Sequence, residues 1–373
     1  MFGRRAAPKV KSSDTIYAYL KRGIKEGASD IHWEPYSDGN RESVVIRFRV
    51  DGILKDAGKI SSDSFSSTII NAIKIMSSMD PTKKRTNQDG RFNFMQDGTG
   101  YDVRVAIMPT ISGEKVVMRI TNRGTYCKNI SELGMSGEAL KNFEQMVHRP
   151  EGFVLITGPS GAGKTTTLYS ILQNVYRREI NICTIEDPVE LQFAGINQIQ
   201  VNHEYGMTFV TGLRAIMRQD PNIIAVGEIR DLETVRIAFQ ASLAGSMVFS
   251  TLHARDAVNT VTRLMDMGVE PFFIATALTG IVSQRLIRLT CRDCAGQGCK
   301  QCNFTGFRRR IGVFEVLRMN DPLRQLILKR PNFEELKAAA IGQGMVPFAS
   351  LIEPMIKQGL TTAEEVNRVL ALE

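Results

Sequence analysis

The segment Gly158-Pro-Ser-Gly-Ala-Gly-Lys-Thr165 has the form G-x-x-x-x-G-K-T. In this pattern backbone amides, one lysine and one hydroxyl are spaced to hold a run of phosphates. Glycines let successive N–H groups turn towards the anion, and a helix starting at Lys164 adds its positive N-terminal end. Lys164 is expected to reach the β- and γ-phosphates of ATP and Thr165 to hold Mg²⁺. The expected nucleotide-binding run is therefore Gly158, Pro159, Ser160, Gly161, Ala162, Gly163, Lys164, Thr165 and Thr166. Hydrolysis also needs carboxylates close to the metal and the attacking water. Ile223-Ile-Ala-Val-Gly-Glu228 supplies Glu228 at the end of an apolar run, and Thr184-Ile-Glu186-Asp187-Pro-Val-Glu190 supplies Glu186. Asp187 and Glu190 stand evenly between a site and a solvated loop. His253, in Ser250-Thr-Leu-His-Ala254, is positioned either to hydrogen-bond a γ-phosphate or to order its loop.

A second cluster is Cys291-Arg-Asp-Cys-Ala-Gly-Gln-Gly-Cys-Lys-Gln-Cys302, which holds four of the six cysteines. Two C-x-x-C pairs suit a tetrahedral Zn²⁺ site built from Cys291, Cys294, Cys299 and Cys302; unmetallated thiols are the alternative. Only four residues separate the pairs, where zinc knuckles ordinarily leave more than about a dozen. Gly296 and Gly298 can turn the tight hairpin this requires. A redox pair would open a helix after a strand rather than share a glycine-rich loop. Cys127 and Cys183 stand alone and read as small buried hydrophobes.

These residues need a scaffold, and 373 residues allow two or three domains with their own cores. The chain is 43% hydrophobic and 23% charged, the balance of a soluble globular protein, and no apolar run nears the ~20 residues of a membrane span. With no secretory signal, a cytoplasmic protein is expected. The net charge of +8 favours an acidic partner. Lys/Arg density peaks only at Phe307–Arg310, without the basic–aromatic interleaving of nucleic-acid binders, so no nucleic-acid partner is expected.

Residues 1–12 read as a flexible basic tail. A small α+β module follows over 13–121. It opens on a helix with Asp14 as N-cap, then the strand Val44–Val50 with Val44, Ile46 and Phe48 on one face and Arg47 and Arg49 on the other. Asp51-Gly52 signals a hairpin, and a helix is expected from about Phe65 to Met79. A linker spans 122–133. Beyond it, the apolar runs Phe153–Thr157, Asn181–Ile185, Asn222–Val226 and Met247–Leu252 alternate with helical patterns. This predicts an α/β fold with a mostly parallel sheet buried on both faces. Helices are expected to dominate to the end, the last opening on a Thr362-x-x-Glu365 capping box.

Taken together these motifs resemble the secretion ATPases of type II secretion and type IV pilus systems. GASDIHWEP (27–35), GPSGAGKTTTLYS (158–170), TIEDPVE (184–190), VGEIRD (226–231) and STLHA (250–254) occur in that family's order, as do the segments 206–224 and 298–317. The resemblance implies a RecA-like P-loop ATPase domain over 134–373 behind a PAS-like domain. Within it would lie a small Cys₄ element at 289–311 and a helical C-terminal subdomain at 312–373. It implies a homo-hexamer driving an inner-membrane platform protein, peripheral to the bacterial inner membrane. It implies arginines of the first domain completing the nucleotide site, here Arg91 and Arg104, with Arg47, Arg49 and Arg119 as weaker candidates; His32 reads as structural. The family's cysteine pairs usually lie farther apart. Many members also carry a further N-terminal docking domain, so docking here is expected to use another surface or partner. The alternatives are a nucleic-acid translocase with a RecA-like core and a pilus-retraction ATPase.

Overall fold

The computed structural model describes residues 12–37, 42–61, 68–122 and 129–370. The expected tail up to residue 11, residues 123–128 of the expected linker, Phe65 and Cys127 lie outside them. Contacts divide the chain into two units, Met1–Thr125 and Tyr126–Glu373.

The first unit runs α1 (Ser12–Glu26), β1 (Ala28–Ser37), β2 (Glu42–Val50), β3 (Ile53–Ser61), α2 (Ile70–Met76), β4 (Gln88–Gln96), β5 (Thr99–Thr110) and β6 (Gly113–Asn122). Asp14 is not an N-cap: α1 begins two residues earlier, and Asp14 sits in its first turn, where a negative charge complements the helix dipole. The strands form one antiparallel sheet in the order β3-β2-β1-β6-β5-β4. Asp51 and Gly52 both adopt positive φ and join Val50 directly to its partner Ile53, the two-residue turn that matches strand twist. Val44, Ile46 and Phe48 share one core with Ile16 and Leu20 of α1 and Ile70 and Ile73 of α2. The opposite face is polar and carries the arginines.

The second unit contains α3 (Gly137–Val147), β7 (Gly152–Thr157), α4 (Lys164–Val175), β8 (Ile182–Glu186), β9 (Asn197–Gln200) and α5 (Phe209–Ile216). It continues with β10 (Ile223–Val226), α6 (Leu232–Leu243), β11 (Met247–Leu252), α7 (Ala257–Asp266), α8 (Pro271–Ala277), β12 (Leu278–Thr290) and β13 (Phe307–Arg318). Helices α9 (Asp321–Leu328), α10 (Phe333–Gly342), α11 (Phe348–Lys357) and α12 (Ala363–Leu370) close it. The sheet order is β13-β12-β7-β11-β10-β8-β9, parallel except for the antiparallel β12–β13 pair. Alternate residues of each strand serve opposite cores. Phe153 and Leu155 pack with helices α5 to α10, while Val154 and Ile156 pack with α3 and α4. The short apolar runs follow from this two-sided burial.

Two expectations are corrected. Helices do not take over after β11: β12 and β13 intervene, and residues Gly312–Arg318 of the expected helical subdomain are strand. Buried on both faces over residues 278–285 and 312–317, these strands lack there the polar alternation that would have marked them. The Thr362 capping box is also only half formed. Glu365 N–H donates to Thr362 Oγ1 at 3.2 Å, but the Glu365 carboxylate accepts from Arg288 and Arg368 instead of turning back to the cap. Arg288 comes from β12 and is nearly buried, so its guanidinium requires this partner.

Candidate functional site

In an open parallel sheet, ligands collect where strands end at their carboxyl edge. β7, β8, β10 and β11 all run in parallel, so Thr157, Glu186, Val226 and Leu252 end on one edge. Apart from the four cysteines, the expected site residues of this unit lie at or just past those ends.

The phosphate loop leaves β7 and enters α4. Gly158, Gly161 and Gly163 have φ of 147°, 76° and 92°, a region L side chains rarely enter, so the loop's course requires glycine at these positions. Lys164 Nζ donates to the carbonyls of Gly158 at 2.7 Å and Pro159 at 3.0 Å, so its ammonium lies across the mouth of the loop. Burial pushes the Lys164 pKa down to about 8; Arg285 adds to that, and Glu228 opposes it.

Glu228 stands two residues beyond β10. Arg230 pairs with it and reaches Asp187 Oδ2 at 3.9 Å, while His253 Nε2 lies 4.0 Å from Glu228 Oε2. The His253 pKa is lowered, chiefly by burial and then by Lys164, which favours the neutral ring at neutral pH. The strand ends are stitched together by the backbone. Gly227 N–H donates to Ile185 O, Thr251 Oγ1 donates to Gly227 O, and Ile229 N–H donates to Thr251 O. Lys164, Glu228 and His253 are therefore brought to one place.

Glu186 ends the neighbouring strand in a different setting. It is buried, with one carboxylate oxygen accepting from the Tyr169 hydroxyl. The other accepts from Thr184 Oγ1 at 2.6 Å and Gln198 Nε2 at 3.1 Å. Tyr169 OH in turn accepts the Glu190 N–H at 3.0 Å, so the carboxylate anchors α4 to the loop after β8.

In the first unit, Arg91 of β4 faces Arg104 of β5, Arg104 faces Arg119 of β6, and Arg119 faces Asp30 of β1, itself opposite Arg49 of β2. Direct antiparallel partners share a face, so these residues form one row across five strands. Asp30 takes Arg119 at 3.0 Å and Arg49 at 3.8 Å; Arg104 reaches Asp102 at 3.5 Å. Arg47 bonds Glu34 at 2.6 Å, one row away. His32 is buried beside Glu34 with neither ring nitrogen hydrogen-bonded, and burial lowers its pKa.

The four cysteines gather between β12 and β13, their sulfurs all within 4.8 Å of one another. The Cys294–Cys302 and Cys299–Cys302 Sγ separations are 3.8 Å, and Cys291–Cys299 is 4.0 Å. A tetrahedron with metal–sulfur bonds of about 2.3 Å has edges of about 3.8 Å. Gly298 and Cys299 N–H groups each donate to a cysteine sulfur at 3.2 Å, as fits thiolates. The glycines expected to permit the hairpin do so: Gly296 and Gly298 have φ of 85° and 91°. The residues present fit a bound metal ion.

Sequence reading missed Arg230, Tyr169, Gln198, Gln284 and Arg285. The available signals were an arginine two places after Glu228 and the polar pair Gln284-Arg285 inside an otherwise apolar run.

Residues 7–368 match the family described as Type II/IV secretion system protein. The chain is 42% identical to the type II secretion system ATPase E of Vibrio cholerae, over 97% of this chain and 75% of that protein. It is 40% identical to the type IV pilus assembly ATPase PilB of Myxococcus xanthus, over 96% of this chain and 67% of that protein. Among solved structures it resembles the pilus retraction motor PilT with bound ADP, at 28% identity and a TM-score of 0.68, over 96% of this chain and 97% of that one. The ATPase DotB of Legionella pneumophila shares the fold at a TM-score of 0.73 and 21% identity, over 99% of this chain and 98% of that one. A match that runs almost from end to end, with these relatives, means that the chain belongs to the Type II/IV secretion system protein family.

Proposed function

We propose that this protein is an ATP-hydrolysing motor for assembling a type IV pilus or a type II secretion pseudopilus. The observation that carries this is the convergence of Lys164, Glu228 and His253 on the carboxyl edge of the sheet, beside a glycine-shaped phosphate loop. Lys164 turns from the loop carbonyls to the β- and γ-phosphates, and Glu228 positions the attacking water. His253, as a neutral ring, hydrogen-bonds the γ-phosphate. Thr165 is the residue to hold Mg²⁺, which would neutralise charge developing on the phosphate oxygens. Glu186, its oxygens already bonded, supports the loop rather than the water.

Arg91 and Arg104 are the first unit's candidates for meeting phosphate charge. Like charges opposed across strands weaken a sheet, so the Arg91–Arg104–Arg119 row suits a bound anion such as a triphosphate. A homo-hexamer working against an inner-membrane platform protein, in the cytoplasm and peripheral to the membrane, is the assembly that the resemblance of its motifs implies. No helix among the described residues is long and apolar enough to cross a membrane. Identity of about 40% to assembly and secretion ATPases against 28% to the retraction motor favours assembly.

Steady-state hydrolysis by the purified chain tests this. Lys164→Ala is expected to abolish ATP turnover, and undiminished turnover overturns the assignment. Arg91→Ala or Arg104→Ala should lower kcat by at least about tenfold. Single-stranded DNA should leave turnover unchanged; strong stimulation would favour a translocase. Cys291, Cys294, Cys299 and Cys302 would hold Zn²⁺ in a closed, structural role. Metal analysis of protein purified without chelator should return equimolar zinc, and its absence would refute the site.

A further inference from the structure

We infer that Gln284 and Arg285 of β12 are positioning residues that tie the phosphate loop to the loop after His253 and to the first turn of α11, so that nucleotide occupancy is felt by the C-terminal helices. This rests on the ATPase reading of the site.

Both side chains are almost fully buried, at 2% and 1% exposure, and as strand neighbours they point to opposite faces of the sheet. Gln284 serves the phosphate loop. Its Nε2 donates to Ala162 O at 2.6 Å, in the middle of the loop. Its backbone carbonyl passes so close that a Cβ on Gly158 would lie 2.5 Å away, and a Cβ on Gly163 would lie 3.0 Å from its side-chain Nε2. The first and last glycines of the loop thus both make room for this one residue.

Arg285 serves the other face. Its Nη1 donates to Gln284 O at 3.0 Å and would lie 3.5 Å from a Cβ on Gly158. Its Nη2 donates to the carbonyl of Arg255, two residues past His253. The guanidinium stacks over Phe348, 5.1 Å from the ring centre. Phe348 opens α11, and its N–H donates to Glu315 Oε1 at 2.8 Å while Glu315 Oε2 accepts from Ala257 N–H at 3.1 Å. One carboxylate therefore caps α7 and α11 together, directly beneath Arg285. Burying a guanidinium is costly unless its donors are used; here Nη2 holds the loop after His253, Nη1 holds the neighbouring carbonyl of β12 beside the phosphate loop, and the guanidinium faces a helix outside the site. The contacts from phosphate loop to α11 are unbroken.

The test uses the purified full chain with ADP as probe. In the wild type, ADP is expected to slow amide hydrogen exchange at 348–351. Arg285→Lys, which keeps the charge but loses the fork, should abolish that slowing and lower kcat about tenfold with little change in KM. Gln284→Leu should raise KM for ATP about tenfold and leave kcat within about threefold. Phe348→Leu, conservative in volume, should remove the exchange response even if the Arg285 variant does not fold. ADP that binds without slowing exchange at α11, or variants with wild-type kcat, KM and exchange, would overturn the inference while leaving the ATPase reading intact. A wild-type chain that binds no ADP would overturn both.

Discussion

Glu186 and Glu228 close two adjacent parallel strands, and the sequence nominates both by the same rule, a carboxylate after an apolar run. Their surroundings assign them different work. Glu186 is buried, its oxygens taken up by Tyr169, Thr184 and Gln198. Glu228 is partly open, near His253, and pairs with an exposed arginine. Three fixed donors leave the Glu186 carboxylate little capacity to orient water, whereas Glu228, paired with an exposed arginine, keeps more of its capacity. Position at a strand end marks a candidate, and the hydrogen-bond inventory selects between candidates.

The largest expected effect separates the two directly. Glu228→Gln should lower kcat by about 10²–10⁴ while leaving the melting temperature in place. If Glu186→Gln instead carries that loss and Glu228→Gln is spared, the distinction fails. Glu186→Ala should act through stability, costing about 2–3 kcal/mol in denaturant unfolding because Tyr169, Thr184 and Gln198 lose a shared acceptor. The folded fraction should keep kcat within about tenfold of wild type.

A pH titration sharpens the electrostatic side. The Lys164 pKa is lowered by burial to about 8, so the ammonium proposed to hold phosphate is lost as pH rises through that value. KM for ATP should then climb, approaching about tenfold per pH unit on the alkaline side. Glu228 raises the proton affinity of Lys164, so Glu228→Gln should move the onset of this rise to lower pH, whereas Glu186→Gln should not. Smallest of all, Arg230→Ala removes an exposed partner of Glu228 and should change kcat only a few-fold, since such pairs contribute about 0–1 kcal/mol.

The phosphate loop, the core strands and the grouping of four cysteines were legible because each is local: spacing within a dozen residues carries the chemistry. What escaped depends on residues far apart in the chain. The partners of Glu186 lie on α4 and β9, so nothing near TIEDPVE says that its carboxylate is already bonded. Arg288 finds Glu365 across 77 positions, which is why Thr362 loses half of its capping box. β12 and the second half of β13 were concealed by burial on both faces, which erases the period-two signal that half-exposed strands display. The polar pair Gln284-Arg285 was visible but uninterpretable until the loops on either face of β12 were in place. In the first unit, alternation alone put Arg47 and Arg49 on the polar face, but only strand register reveals that Arg91, Arg104 and Arg119 stand abreast.

The β12–β13 pair has a mechanical consequence. Gln284, which grips the phosphate loop, and Cys291, the first residue of the knuckle, are joined by one continuous strand, and the returning strand braces it. Seven residues of strand span about 23 Å, so a tilt of about 10° at the loop displaces the knuckle by about 4 Å. The ribbon is a lever with the phosphate loop near one end and the four cysteines at the other. A tilt too small to notice at the loop would become, at that tip, a displacement about as long as one residue of extended chain.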